Sequence, residues 1–299
     1  MKSEIFFPAC DYDLAATLDS GQVFRWRREN GAWTGIVGRH RVRLTQTADG
    51  ILAGLDTPVQ DWDWLRRFLQ TDIDLADILK TFPNDEPMNN AVAACRGLRI
   101  LRQEPWECLA SFILSATKQI VQIRQIVAQL CECFGEPLES GGDGACYAFP
   151  SAEKIAGVME RDLRNCKMGF RAPNLLATAR VIAEGKMDLK ALANLSYGEA
   201  REKLMTLPGV GGKIADCVLL FAYGFDSAFP VDVWVERALQ TLYFPKRRVG
   251  EKRLRRFAAT HFGPRAGYAQ QYLFHYMRTK TKPRRNTRKS RKRVLVCAG

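Results

Sequence analysis

A lysine at position 213 and an aspartate at position 232 are the residues whose types and setting could make and break bonds. Lys213 closes the stretch Leu207-Pro-Gly-Val-Gly-Gly-Lys213 and opens an apolar run, Ile-Ala-Asp-Cys-Val-Leu-Leu-Phe. That sets an amine in the first turn of a helix, where the macrodipole is positive and a cation is least favoured. The neutral amine is the form that attacks carbon and forms a Schiff base. Nineteen residues on, Phe229-Pro-Val-Asp232-Val-Trp-Val places a carboxylate where it can N-cap a second helix. A carboxylate fixed beside an amine stabilises positive charge that develops as a leaving group departs. Each residue also has a plainer reading, as a surface lysine turned away and as an aspartate that only caps.

Around Lys213 a helix is expected to end at Leu207, the chain turns through Gly209, Gly211 and Gly212, and a new helix begins. Glycine permits positive φ and close backbone approach. Free amides at the new helix start make an anion site, and two helices joined this way form a helix-hairpin-helix that can grip a phosphate. A tight interhelical connection is the alternative. Upstream the pattern is different. Asn30-Gly31 and Asp49-Gly50 punctuate alternating runs, which predicts an antiparallel sheet over residues 4–55, with a strand from Gln22. From Pro58 the period becomes helical. Helices are expected at Asp61–Gln70 with Asp61 as N-cap, Glu107–Ala116, Ile120–Phe134 and just after Pro173. Shorter ones follow at 188–194, 197–207, 213–224, 232–242, 250–262 and 266–278, with a loop over 135–148. The fold class is α+β: an N-terminal antiparallel sheet region, then a mainly helical body that carries the hairpin.

Apolar content of 46% and charged content of 26% suit a globular chain and exclude a disordered one. No apolar run approaches the roughly 20 residues of a membrane span, and the first residues read as no signal peptide, so an intracellular protein with no membrane partner is expected. Nine cysteines are scattered without a CxxC pair, which predicts reduced structural thiols and no metal site. The net charge of +13 suggests a polyanionic partner. Ten basic residues and no acids lie between Arg278 and Arg293, and without them the rest of the chain is at +3. Residues 280–299 are therefore expected to be a basic, disordered tail.

LPGVGGKIADC followed by FPVDV resembles the helix-hairpin-helix DNA glycosylases with a catalytic lysine, most closely the eukaryotic-type 8-oxoguanine DNA glycosylases. The similarity spans roughly residues 14–279, including Ser20-Gly-Gln-Val-Phe-Arg-Trp26, Leu101-Arg-Gln-Glu-Pro-Trp-Glu-Cys-Leu-Ala-Ser-Phe-Ile113, Gly169-Phe-Arg-Ala172 and Gly263-Pro-Arg-Ala-Gly-Tyr-Ala-Gln-Gln-Tyr-Leu-Phe274. The resemblance implies an N-terminal domain over 1–103 and a catalytic domain over 104–279. It implies a bifunctional glycosylase and AP lyase that acts as a monomer on double-stranded DNA holding a damaged base, with no cofactor. Lys213 would attack C1′ and form the Schiff base, and Asp232 would stabilise the oxocarbenium. The Gly21 carbonyl would accept the N7 hydrogen of 8-oxoguanine, a contact guanine lacks. Phe274 and Cys217 would sandwich the flipped base, and Gln270 would bond its Watson–Crick edge. Phe170 would wedge into the stack, with Arg171 near the opposite strand, and Gly209, Gly211 and Gly212 would hold the backbone.

The chain departs from that family at Ser115-Ala-Thr-Lys-Gln119, usually asparagine-rich, at Gln122, usually arginine, and at Trp234, often histidine. The first two leave opposite-base preference (Thr117, Lys118, Gln119, Gln122) open. Competing readings are a related glycosylase for another damaged base and a catalytically silent DNA-binding protein. Relatives with an iron–sulfur cluster use four C-terminal cysteines, where this chain has Cys297 alone. Alkylbase glycosylases generally lack the lysine.

Overall fold

A computed structural model of the chain describes residues 3–139 and 145–280. The alternating N-terminal runs form one five-stranded antiparallel sheet. Its strands are β1 (Ser3–Pro8), β2 (Trp26–Glu29), β3 (Ala32–Val37), β4 (His40–Gln46) and β5 (Gly50–Leu55), in spatial order β1-β5-β4-β3-β2. Asn30 and Gly31 join β2 to β3 at φ 49° and 81°, the positive values that a tight hairpin needs. Trp26, Trp33, Val42, Leu44, Ile51 and Ala53 are buried against Leu65, Phe68 and Leu69 of the following helix. Burial of these apolar side chains is what holds sheet to helix.

The expected sheet is interrupted where sequence alternation said nothing. A short helix, Leu14–Asp19, is capped by Asp13, whose carboxylate accepts the Ala16 N–H at 2.8 Å. The strand expected from Gln22 begins only at Trp26, because residues 21–25 turn back toward the body. The helix expected from Asp61 runs Asp63–Leu69 with Trp62 in the N-cap position, and Asp61 instead accepts the Asp63 N–H at 3.1 Å. The loop expected over 135–148 contains a short antiparallel pair, Pro137–Leu138 with Cys146–Tyr147.

The body is helical, with its longer helices at Glu86–Ala94, Pro105–Leu114, Ile120–Phe134, Ala172–Ala183, Tyr197–Met205, Val233–Tyr243, Glu251–His261 and Ala266–Lys280. In Ile120–Phe134 the stripe Ile123, Ile126, Val127 and Leu130 is buried, as its spacing requires. The helix expected at 213–224 is an α-helix over Gly212–Val218 that widens into a π turn over Leu219–Tyr223 and stops at Gly224, φ 79°. The basic tail expected over 280–299 lies, beyond Lys280, outside the described residues. No helix among the described residues is long and apolar enough to cross a membrane.

A polar seam joins sheet and body. Gln22 is fully buried, and its Nε2 donates to the Thr17, Arg99 and Ser20 oxygens at 2.8–3.0 Å. Its Oε1 accepts the Leu101 N–H at 2.8 Å, and its carbonyl accepts from Gln103 at 2.8 Å. Gln271 of the last helix donates to the Ser20 carbonyl at 3.2 Å.

Candidate active site

Asp232 does cap its helix: one carboxylate oxygen accepts the Trp234 and Val235 N–H groups at 3.0 and 2.8 Å. Burial nevertheless pushes its carboxyl above the ordinary value, against those two amides and the charge of Lys213. Lys213, one residue into the Gly212–Val218 helix, is half-buried and turned inward rather than to solvent. Its Nζ lies 3.2 Å from Ser115 Oγ and 5.1 Å from the centre of the Phe112 ring. Ser115 Oγ in turn donates to the Phe112 carbonyl at 2.7 Å. With its one proton committed there, the hydroxyl presents lone pairs to the amine.

Both residues line a cleft of about 720 Å³ that also draws in Gly21, Cys217, Gln270 and Phe274. The six catalytic and base-binding candidates, spread over the sequence, therefore share one cavity. Gly21 sits at φ +82°, a backbone shape that favours glycine, and a Cβ there would lie 2.5 Å from the Ile120 Cδ1 methyl, which would have to move aside. Gln22 beside it fixes that turn through the seam. Cys217 is buried and its thiol is pushed up to about 12 by burial, with Lys213 pulling the other way, which leaves a neutral, polarisable sulfur. Gln270 is buried at 4% exposure, and its Oε1 has no hydrogen-bond partner among the described residues. An acceptor left so costs about 1–3 kcal/mol unless something donates to it.

Arg278, the first of the ten basic residues counted above and the last residue of the helix expected over 266–278, lines this cleft. It sits in the Ala266–Lys280 helix, donates to the Asp19 carbonyl at 3.3 Å and lies 5.2 Å from the Phe274 ring centre. Burial disfavours its charge. Ser115, Phe112 and Gln271 also reach the cleft without having been singled out. Their only sequence signal is a polar residue ending an apolar helix and a glutamine pair in another. Lys118 and Gln119 line the rim. Gln122 is committed to the helix start, its Oε1 accepting the Gln119 N–H at 3.1 Å.

The remaining candidates lie apart from the cleft lining. Of the three hairpin glycines only Gly209 takes positive φ, at +76°, and a Cβ there would meet Asn174 Cβ at 2.7 Å. Gly211 is extended and open, and Gly212 makes room for the Arg201 guanidinium, 2.3 Å from a would-be Cβ. No side chain caps the helix at Gly211. Asp216, one turn on, is buried and holds Arg201 at 2.7 Å, Tyr197 at 2.9 Å and Arg255 at 3.4 Å. Phe170 is 60% exposed, with the Arg171 guanidinium 4.2 Å from its ring centre. Arg171 is not: it is 3% exposed, its guanidinium donating to Met168 O at 3.2 Å and to Ala116 O and Thr117 Oγ1.

Two family descriptions match the chain, the N-terminal domain of 8-oxoguanine DNA glycosylase over residues 4–109 and the HhH-GPD superfamily of base excision DNA repair proteins over residues 110–263. A probable N-glycosylase/DNA lyase of Methanothermobacter thermautotrophicus is 31% identical, covering 91% of this chain and 95% of its own. Among solved structures, MBOgg1 in complex with a low-affinity DNA ligand superposes with a TM-score of 0.88 at 35% identity, over 94% of this chain and 96% of that one. The Clostridium acetobutylicum 8-oxoguanine glycosylase/lyase, bound to double-stranded DNA with cytosine opposite 8-oxoG, gives 0.85 at 33% identity, over 92% and 98%.

Proposed function

We propose, for a chain that belongs to the HhH-GPD superfamily of base excision DNA repair proteins and carries the N-terminal domain of 8-oxoguanine DNA glycosylases, that it excises 8-oxoguanine from duplex DNA and then nicks the strand. The observation that carries this reading is the shared cleft: an inward-turned lysine and a capping aspartate stand with an unpartnered Gln270 oxygen and the Gly21 turn. The relatives' names and bound DNA support the same substrate.

The flipped base enters the cleft with its N7 hydrogen toward the Gly21 carbonyl. Gln270 Oε1 accepts from the base edge, which removes the cost of leaving that oxygen bare. Phe274 and the neutral Cys217 sulfur face the two sides of the ring. The neutral Lys213 amine attacks C1′, the N-glycosidic bond breaks with its electron pair on the base, and the base takes up a proton. Asp232 offsets the positive charge that builds on the sugar. The nitrogen, now bound to C1′, gives up one of its two protons. Its recovered lone pair forms the C=N bond as the C1′–O4′ bond breaks and O4′ takes up a proton, and the product is a protonated imine. The C2′ proton then leaves, and the C3′–O bond breaks by β-elimination with its electron pair on the departing phosphate. Phe170 fills the gap in the stack, and the Gly209–Gly212 turn holds a backbone phosphate. Residues 1–103 supply the base-reading turn and residues 104–279 the chemistry, within a monomer.

Borohydride trapping tests this on duplexes with 8-oxoguanine opposite each of the four bases. A covalent adduct in the natural protein and none in Lys213→Gln, which should still bind the lesion, is the expected result. Base release without any adduct would replace the lysine mechanism with water activated by Asp232. Neither adduct nor release would refute the substrate.

A further inference from the structure

The charge of the described body is not evenly spread. Lys246, Arg247 and Arg248 follow one another, and Lys252, Arg253 and Arg256 come next along the Glu251–His261 helix. All six are exposed, and none makes an ion pair among the described residues. Nor is the 246–248 segment slack. Gln240 Nε2 donates to the Phe244 and Arg247 carbonyls at 2.7 and 2.6 Å, its Oε1 accepts the Val249 N–H at 3.0 Å, and Val249 is buried. Three consecutive cations on a backbone held in this way repel one another, a cost that an anionic partner reverses.

Its place in the fold says which anion. The Val233–Tyr243 helix starts at the cleft, where Asp232 and Trp234 line the wall, and ends at the basic segment. Eleven residues make that helix about 16 Å long, at 1.5 Å each. From the other side, Arg255 of the basic helix reaches Asp216, one turn into the hairpin's second helix. The cations thus stand beside the hairpin's second helix and one helix length from the cleft wall. A duplex running along that helix would meet them about five base pairs from the lesion, at 3.4 Å per step along a strand.

We propose that Lys246, Arg247, Arg248, Lys252, Arg253 and Arg256 form a second DNA-backbone clamp, which grips phosphates of the same duplex about five base pairs from the damaged base. The clamp rests on the proposed function for its partner but takes no part in the chemistry. It adds affinity without sequence or lesion preference, because phosphate contacts position and do not read bases.

The test compares the full natural chain with K246Q/R247Q/R248Q, and with the charge-reversed K246E/R247E/R248E, on 25-base-pair duplexes across a salt series. Each lost phosphate contact lowers the slope of log K against log salt by about 0.9, so a drop of about 2 to 3 is expected. Affinity should fall at least tenfold, equally for damaged and undamaged duplexes. Single-turnover base release at saturating enzyme should be unchanged. Duplexes trimmed to three base pairs on one side of the lesion should weaken the natural protein for one side only, and leave the variants unaffected by that trimming. An unchanged slope in both variants, or a loss confined to damaged DNA, overturns the clamp. A patch meant for an acidic protein gives the first of those results. Failure of base release in the natural protein would sink the proposed function, while the slopes on undamaged duplex still decide the clamp.

Discussion

Asp232 is held where its charge is costly. Burial raises its carboxyl while the Val235 and Trp234 amides and the Lys213 charge oppose the rise. The folded-state value lies above the unfolded one, so the folded protein holds the proton more tightly. The stabilisation is present at low pH and is lost as pH rises through the folded value. At neutral pH the ionised carboxylate is therefore a net cost, and the proposed chemistry, which uses the anion, gives a reason for keeping it. Asp232→Asn preserves an equally good helix cap and removes the charge. It should melt a few degrees higher than the natural protein at pH 7.5, with the gap closing toward pH 4, and should excise about 100- to 1000-fold more slowly. Thermal melts at the two pH values together with single-turnover kinetics check both halves, and a lower melting point at pH 7.5 would refute the cost. For the same reason, excision by the natural enzyme should fail on the acid side at a higher pH than an exposed aspartate would give.

At the scale of the element, the hairpin separates glycines that look alike in sequence. Gly209 needs its positive φ and its closeness to Asn174, whereas Gly211 is extended with open space around it. Gly209→Ala should cost about 1–3 kcal/mol and weaken DNA binding, while Gly211→Ala should be nearly neutral in stability. Urea unfolding of the two variants decides this, and equal costs would contradict the assigned geometry. The contrast marks what could be read in advance. Lys213, Asp232 and the hairpin announce themselves through local signals, a Pro-Gly turn and a capping aspartate, and the helical stripes through their period. Ser115 under Lys213 and Gln22 behind Gly21 do not. Their partners are 98 and 77 residues away along the chain, and no local pattern encodes such a pairing. Arg278, inside the helix expected over 266–278, was not singled out for a related reason: a run of cations hides the member that reaches the cleft. Arg171 shows the reverse limit, since a residue implied to face DNA is here folded onto the Ser115–Gln119 turn.

Taken whole, the molecule has two apolar cores, one under the sheet and one in the helical body. The cleft is lined from the second, by Phe24, Phe112, Ile123, Cys217 and Phe221, while the Gly21 turn that reaches into it is flanked by Leu18 and Val23 of the first. Gly21 comes from the first part of the chain, Lys213 and Asp232 from the hairpin region, and Gln270 from the last helix. Such a site exists only if both cores keep their relative position, and apolar packing alone is poorly suited to fixing it because it is not directional. The buried amides of Gln22, Gln103 and Gln271 supply direction across the boundary. Gln22→Ala leaves the Leu101 N–H without its acceptor and strips three oxygens of a donor, a loss on the order of 3 kcal/mol. The chain offers separate probes for the two halves. Four of its six tryptophans, Trp26, Trp33, Trp62 and Trp64, lie with the sheet, so fluorescence follows that core, whereas far-UV circular dichroism follows the helices. In the natural protein the two urea transitions should coincide, as one cooperative unit requires. In Gln22→Ala the fluorescence midpoint should move to lower urea than the dichroism midpoint, and discrimination between 8-oxoguanine and guanine should fall with it. Coincident transitions in the variant would mean that the cores are coupled by something other than this seam, and that Gly21 is positioned from within its own turn.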